Sequence, residues 1–134
     1  MVRERGFTLV ELMTVCSAAT VLAALALPSF QAALTKSRRG DAVTALSVLQ
    51  AAQERFHAGQ GMYAPDLATL ALATRSEHDF YDLALQPDGP DSYRATATAV
   101  PSGAQAGDLA CPQLELQVRS GFVTLGPDRR CWNR

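Results

Sequence analysis

Polar and apolar residues are unevenly distributed along this chain. From Phe7 to Leu27 the only charged residue is Glu11. A helix of about 21 residues is about 30 Å long, enough to cross the hydrocarbon of a bilayer. Before this run stands a charged leader, Met1 to Gly6, whose Arg3 and Arg5 bias it to the cytoplasmic side. After it comes Pro28, and then a segment from Ser29 to about His57 rich in Ala, Leu, Gln, Lys and Arg, all strong helix formers. Val43, Leu46, Leu49 and Phe56 recur there on one helical face, while Lys36, Arg38, Arg39, Gln50 and Glu54 fall mostly elsewhere. Gly59 and Gly61 suit left-handed caps and end the pattern. The economical reading is one helix of about 50 residues and about 80 Å. It is kinked or loosened at Pro28, because proline removes a backbone donor and crowds the preceding turn.

The pattern then changes period. Met62 to His78 reads as a loop carrying a short helical turn, with Leu67, Leu70 and Leu72 as its apolar points. Strand character follows in Phe80 to Leu85 and in Tyr93 to Val100, divided by the turn Pro87-Asp88-Gly89-Pro90-Asp91. Beyond a Gly- and Ala-rich loop from Pro101 to Cys111, Leu114-Glu115-Leu116-Gln117-Val118 alternates as a half-buried strand should. Ser120-Gly121 is a two-residue turn into Phe122 to Leu125. Four short antiparallel strands against the amphipathic half of the helix make an α+β domain. The chain thus divides into a leader at residues 1–6, an apolar helix at 7–28 and an exported globular domain at 29–134.

Charge and cysteine content narrow the function. A formal net charge of −1 over 134 residues gives no global pull toward nucleic acid or a membrane surface. Cys111 and Cys131 lie in the exported part, where an oxidising compartment makes the pair a disulfide, whereas Cys16 lies in the apolar helix as a small packing residue. His57 and His78 are far apart and stand in no zinc-ligand spacing with cysteine or carboxylate, and no Gly-rich phosphate loop is present. The chain therefore reads as a non-enzyme with no catalytic residue, metal or cofactor.

Glu11 carries the sharpest functional signal. A charge inside a membrane segment costs about 2.5–3.5 kcal/mol on insertion scales and marks a functional site. An ordinary secretory signal peptide cut at Ala24-Leu25-Ala26 would leave it unexplained. The stretch Gly6 to Met13, GFTLVELM, resembles the type IV prepilin signature. The C-terminal half is similar to short minor pilins in Gly103-Ala104-Gln105, Asp108, Cys111, Gly121 and Cys131-Trp132.

The resemblance implies the type IV pilin fold, in which a long helix packs on a four-stranded sheet closed by a C-terminal disulfide loop. It also implies cleavage between Gly6 and Phe7 by a membrane-embedded prepilin peptidase, which methylates the new amino group of Phe7. Glu11 would pair with that ammonium on a neighbouring subunit and set the stagger between them. Pro28 would supply the loosened stretch that lets a filament extend and bend. The subunit would wait in the inner membrane with its globular domain in the periplasm. It would then join other pilins in an extracellular pilus with the help of an inner-membrane assembly platform.

Charge is nevertheless uneven within the exported part. Asp66, Glu77, Asp79, Asp82, Asp88 and Asp91 stand against Arg75 alone, while the tail gathers Arg129, Arg130 and Arg134 around Trp132. Arginines beside an aromatic can grip DNA by phosphate contact and stacking, and some minor pilins are DNA-uptake receptors, so these three are candidate DNA contacts. A solvated basic edge is the plainer reading, because three charges are few for a DNA patch. A type II secretion pseudopilin is the other alternative, although the tail lacks the oxygen-ligand cluster of the calcium-bound kind.

Overall fold

The computed structural model describes residues 6–133 of the chain. Helix α1 spans Leu9–Gln60, and four strands follow: β1 (Tyr81–Pro87), β2 (Ser92–Ala99), β3 (Gln113–Arg119) and β4 (Phe122–Gly126). The residues fall into two compact units that meet within α1, one ending at Leu34 and the other beginning at Thr35.

Within the first unit, the described part of α1 has no buried face. Leu12, Val15, Leu22 and Leu25 are all exposed, and the helix is long and apolar enough to cross a membrane. Its hydroxyls are satisfied within the helix itself. Thr14 donates to the Glu11 carbonyl, Ser17 to Met13, Thr20 to Cys16 and Ser29 to Ala26, each at 2.7–2.9 Å. Backbone and hydroxyl groups that need no water suit an apolar surrounding. Pro28 lies inside α1, which continues through it, and it cannot donate to the carbonyl one turn back.

The second unit is a sheet covered by the second half of α1. Strand order is β1-β2-β3-β4 with every pair antiparallel. Alternation turns Tyr93, Ala95 and Ala97 of β2 and Leu114, Leu116 and Val118 of β3 inward, and the register sets Ala95 opposite Leu116 and Ala97 opposite Leu114. Small residues thus face large ones, which lets Ala42, Leu46 and Leu49 of α1 join the same core. Ser120 and Gly121 both adopt positive φ (48° and 81°), the geometry of the two-residue hairpin their sequence suggested.

Three details depart from the sequence reading. Gly59 is helical, and Gly61 alone (φ 72°) terminates α1, its N–H donating to the His57 carbonyl at 2.8 Å. The helix face centres on Ala42, Leu46, Leu49 and Gln53, with Val43 and Phe56 only half-buried at its side. Gln53 is inside because its amide grips the loop: Nε2 donates to the Ala64 carbonyl at 3.0 Å, and Oε1 accepts from the Ala64 N–H at 2.8 Å. The segment between α1 and β1 is turns, with Asp66 Oδ1 accepting from both the N–H and the hydroxyl of Thr69.

Candidate functional site: the helix start and the C-terminal loop

Gly6 and Phe7 precede the helix, in no regular structure and exposed, with Phe7 86% accessible. A Cβ built on Gly6 meets nothing within 4 Å among the described residues. Thr8 is the N-cap and Glu11 reaches back to it, a reciprocal capping box that opens α1. The carboxylate therefore stands at the first turn with its backbone partners supplied by its own helix. Cys16 is a free, exposed thiol within the apolar stretch.

At the other end of the chain, Cys111 and Cys131 form a disulfide with Cα atoms 5.5 Å apart, and both residues are buried. The residues around this disulfide are fixed to α1 by several further contacts. Arg39 makes a two-point ion pair with Asp108, Nε to Oδ2 and Nη2 to Oδ1, each at 2.7 Å, and its Nη1 donates to the Arg130 carbonyl at 3.5 Å. Donating to the Asp108 carboxylate pushes the Arg39 pKa up, against the opposing effect of burial. Asn133 Nδ2 donates to the Lys36 carbonyl at 3.2 Å. Gln105, also buried, donates to the Tyr81 hydroxyl at 2.9 Å and to the Thr35 carbonyl at 3.3 Å.

These contacts give roles to the residues that carried the C-terminal resemblance. Gln105 and Asp108 are internal struts. Gly103 lies so close to Val100 that a Cβ would meet its Cβ and carbonyl at 3.2 Å.

Arg129 and Arg130 are exposed and, among the described residues, their guanidinium groups make no salt bridge, although Asp128 Oδ1 accepts from the Arg130 N–H at 3.0 Å, whereas Arg75, Arg94 and Arg119 are each paired. Arg134 lies outside the described residues. Trp132 corrects the expectation of stacking: it is 4% exposed and its Nε1 donates to the Gly126 carbonyl at 2.8 Å, so its ring is committed to the core. What the sequence did not reveal is that Lys36, far away in the chain, is brought beside the loop carrying these arginines.

Of the two histidines, His57 stacks on Tyr63 with centroids 4.4 Å apart, and His78 Nδ1 lies 3.0 Å from Asp41 Oδ1. Among the described residues no group of three or more His, Cys, Asp or Glu side chains could hold a metal ion.

Residues 1–27 match the prokaryotic N-terminal methylation motif, and residues 28–115 match the family described as type IV minor pilin ComP, DNA uptake sequence receptor. The chain belongs to this type IV minor pilin family. Two curated relatives agree with that placement. The chain is 41% identical over 61 residues to the type IV major pilin protein PilA of Myxococcus xanthus and 31% identical over 70 residues to the fimbrial protein EcpC of Eikenella corrodens. Those alignments cover 46% and 52% of this minor pilin but only 28% and 46% of the relatives, so it spans under half the length of either. The family match ends within β3, so β4, Cys131 and the exposed arginines of this minor pilin lie beyond it.

Proposed function

We propose that this minor pilin is a structural subunit of an extracellular type IV filament, made as a prepilin and stored in the inner membrane. The observation that carries this reading is the junction at residues 6 to 11. An accessible glycine–phenylalanine bond stands just before a helix whose stretch up to Pro28 is exposed and carries no charge but Glu11. A prepilin peptidase cuts after Gly6 and methylates Phe7, the apolar helix holds the subunit in the lipid, and the domain from about Ser29 projects into the periplasm. During assembly Glu11 meets the α-ammonium of Phe7 on a neighbouring pilin, because two opposite charges in a low-dielectric core are tolerable only together. Pro28, which cannot close its helical hydrogen bond, is where α1 yields when the filament bends. The inner-membrane platform drives insertion of each subunit.

Mass spectrometry of membrane-extracted protein tests this directly. An N-terminus at methylated Phe7 is expected. An N-terminus near Leu27 would mean a conventional signal peptide and would end the prepilin reading.

The family's description as a DNA uptake sequence receptor, together with the guanidinium groups of Arg129 and Arg130, exposed and in no salt bridge among the described residues, supports a second reading as a DNA receptor on the filament. Phosphate contact would carry the affinity, since Trp132 has no free face for stacking. Binding of duplex DNA to the full chain in lipid nanodiscs separates the readings. Three phosphate contacts from Arg129, Arg130 and Arg134 give a log–log salt slope of about −3, lost when all three become Ala. A slope near zero in the parent chain would leave the structural role alone.

A further inference from the structure

Glu11 is held more tightly than helix capping requires. Its Oε2 accepts two hydrogen bonds from Thr8, one from the backbone N–H and one from the hydroxyl, both at 2.9 Å. The same hydroxyl accepts from the Glu11 N–H at 3.3 Å. Thr8 therefore both gives to and takes from Glu11, and the carboxylate cannot rotate without breaking contacts with backbone and side chain at once. Its second oxygen, Oε1, has no hydrogen-bond partner among the described residues.

We propose that Thr8 is a positioning residue for subunit assembly, holding Glu11 by Oε2 so that Oε1 is presented to the α-ammonium of Phe7 on the neighbouring subunit. The inference rests on the reading that Glu11 makes that pairing, and it adds the residue that prepares it. A glutamate side chain loses several rotamers when it is fixed. Where Thr8 has already fixed it, the incoming ammonium meets a carboxylate of set direction and need not order it, which strengthens association without any new intersubunit contact. The arrangement also answers a problem of the waiting subunit. A carboxylate at the edge of the lipid is costly when bare, and two local donors satisfy one of its oxygens until the neighbour supplies the third. Because Phe7 and Thr8 adjoin, cutting after Gly6 creates the ammonium while leaving the Thr8 N–H and hydroxyl as they are.

The test uses the full chain in cells that assemble the filament. The readout is the ratio of subunit in sheared filaments to processed subunit in the membrane, with processing and methylation at Phe7 followed by mass spectrometry. Thr8→Val, which keeps the shape and loses the hydroxyl, should lower the ratio about tenfold, the scale of one immobilised side chain. Thr8→Ser should restore it to within about twofold of the parent, since it keeps both bonds. Thr8→Gly is a second hydroxyl-free variant that remains a good N-cap, and its ratio should fall with that of Thr8→Val, which separates the hydroxyl from simple capping. Because the ratio counts processed subunits only, slower cleavage of one variant does not mimic the effect.

Parent-like ratios for Thr8→Val and Thr8→Gly, alongside loss of incorporation in Glu11→Ala, would overturn the positioning role and leave the pairing standing. A parent-like ratio for Glu11→Ala would remove the pairing itself. Failure of Thr8→Ser to recover what Thr8→Val loses would show that the methyl group matters and would also overturn the proposal.

Discussion

The two halves of α1 differ in where they put their apolar side chains. Leu46 and Leu49 in the second half are fully buried against the sheet, while Leu12, Val15 and Leu22 in the first half are exposed among the described residues. Both halves are made of good helix formers, so propensity does not separate them. What separates them is the arrangement of apolar positions: a stripe that one sheet can cover, against a cylinder that only lipid or a ring of neighbours can cover. The second half has its partner within the chain and should keep its structure alone. The first half waits for surroundings of that kind, and its hydroxyls at Thr14, Ser17 and Thr20 are already satisfied within the helix.

The sharpest way to break that contrast is at Gly6, a residue with open space around it. Gly6→Val should leave the melting temperature of the domain unchanged and yet abolish cleavage. Intact-mass measurement would find every subunit with its leader attached and no subunit in filaments. Partial cleavage at the parent rate would show that the bond's surroundings tolerate bulk and that the junction is not read by a restricted enzyme pocket.

Paired substitutions of leucine sharpen it further. Leu46→Ala should destabilise the domain by about 2–5 kcal/mol, the usual range for a buried leucine. Leu22→Ala should not move the unfolding of the domain at all, while weakening filaments. Chemical denaturation of the full chain in detergent, followed by the near-ultraviolet signal of Trp132, measures the first effect. Comparable shifts from both changes would mean that the first half of α1 is covered by the domain after all.

The three cysteines offer the same contrast on a smaller scale. Cys111 and Cys131 are 20 residues apart, and replacing both by Ala should cost about 3 kcal/mol on the loop-closure argument. Cys16→Ala should cost the domain nothing, because that thiol is free and exposed in the other unit. Thiol titration of the unfolded, unreduced chain should find one reactive cysteine, and three would sink the pairing.

How much of this was legible in the sequence follows from the range of the interactions. The strands and the Ser120-Gly121 turn are written in local alternation and φ preference, and their positions were readable to within about two residues. The apolar helix and its lone acid were readable from composition alone. Gln53, Arg39 and Asp108 were not, because each is a polar residue inside the domain whose partner lies at a distance that no periodicity marks: Ala64, and then each other across 69 positions. Trp132 looked like part of an exposed basic tail for the same reason. Its place is decided by the disulfide next to it and by the Gly126 carbonyl, neither of which is a local signal. Lys36 near the arginine-bearing loop is the corresponding case at the surface, a neighbour made by the fold.

The smallest expected effect concerns pH and should appear only in the domain. His78 Nδ1 lies 3.0 Å from Asp41 Oδ1, tying the segment before β1 to α1, and the hydrogen bond to that carboxylate raises the His78 pKa above its usual 6.5. A histidine whose folded pKa lies above the unfolded one stabilises the fold when protonated. The contribution is fully present below about pH 6.5 and is lost as pH rises through the folded value. His78 is largely solvent-exposed, so screening keeps the effect small. The domain's denaturation midpoint should therefore fall slightly between pH 6 and pH 8, and His78→Gln should flatten that part of the profile while leaving the midpoint at pH 8 close to the parent's. An unchanged slope in His78→Gln would assign the pH dependence elsewhere. A midpoint rising from pH 6 to pH 8 in the parent would mean that the carboxylate at Asp41 does not hold the imidazolium in solution.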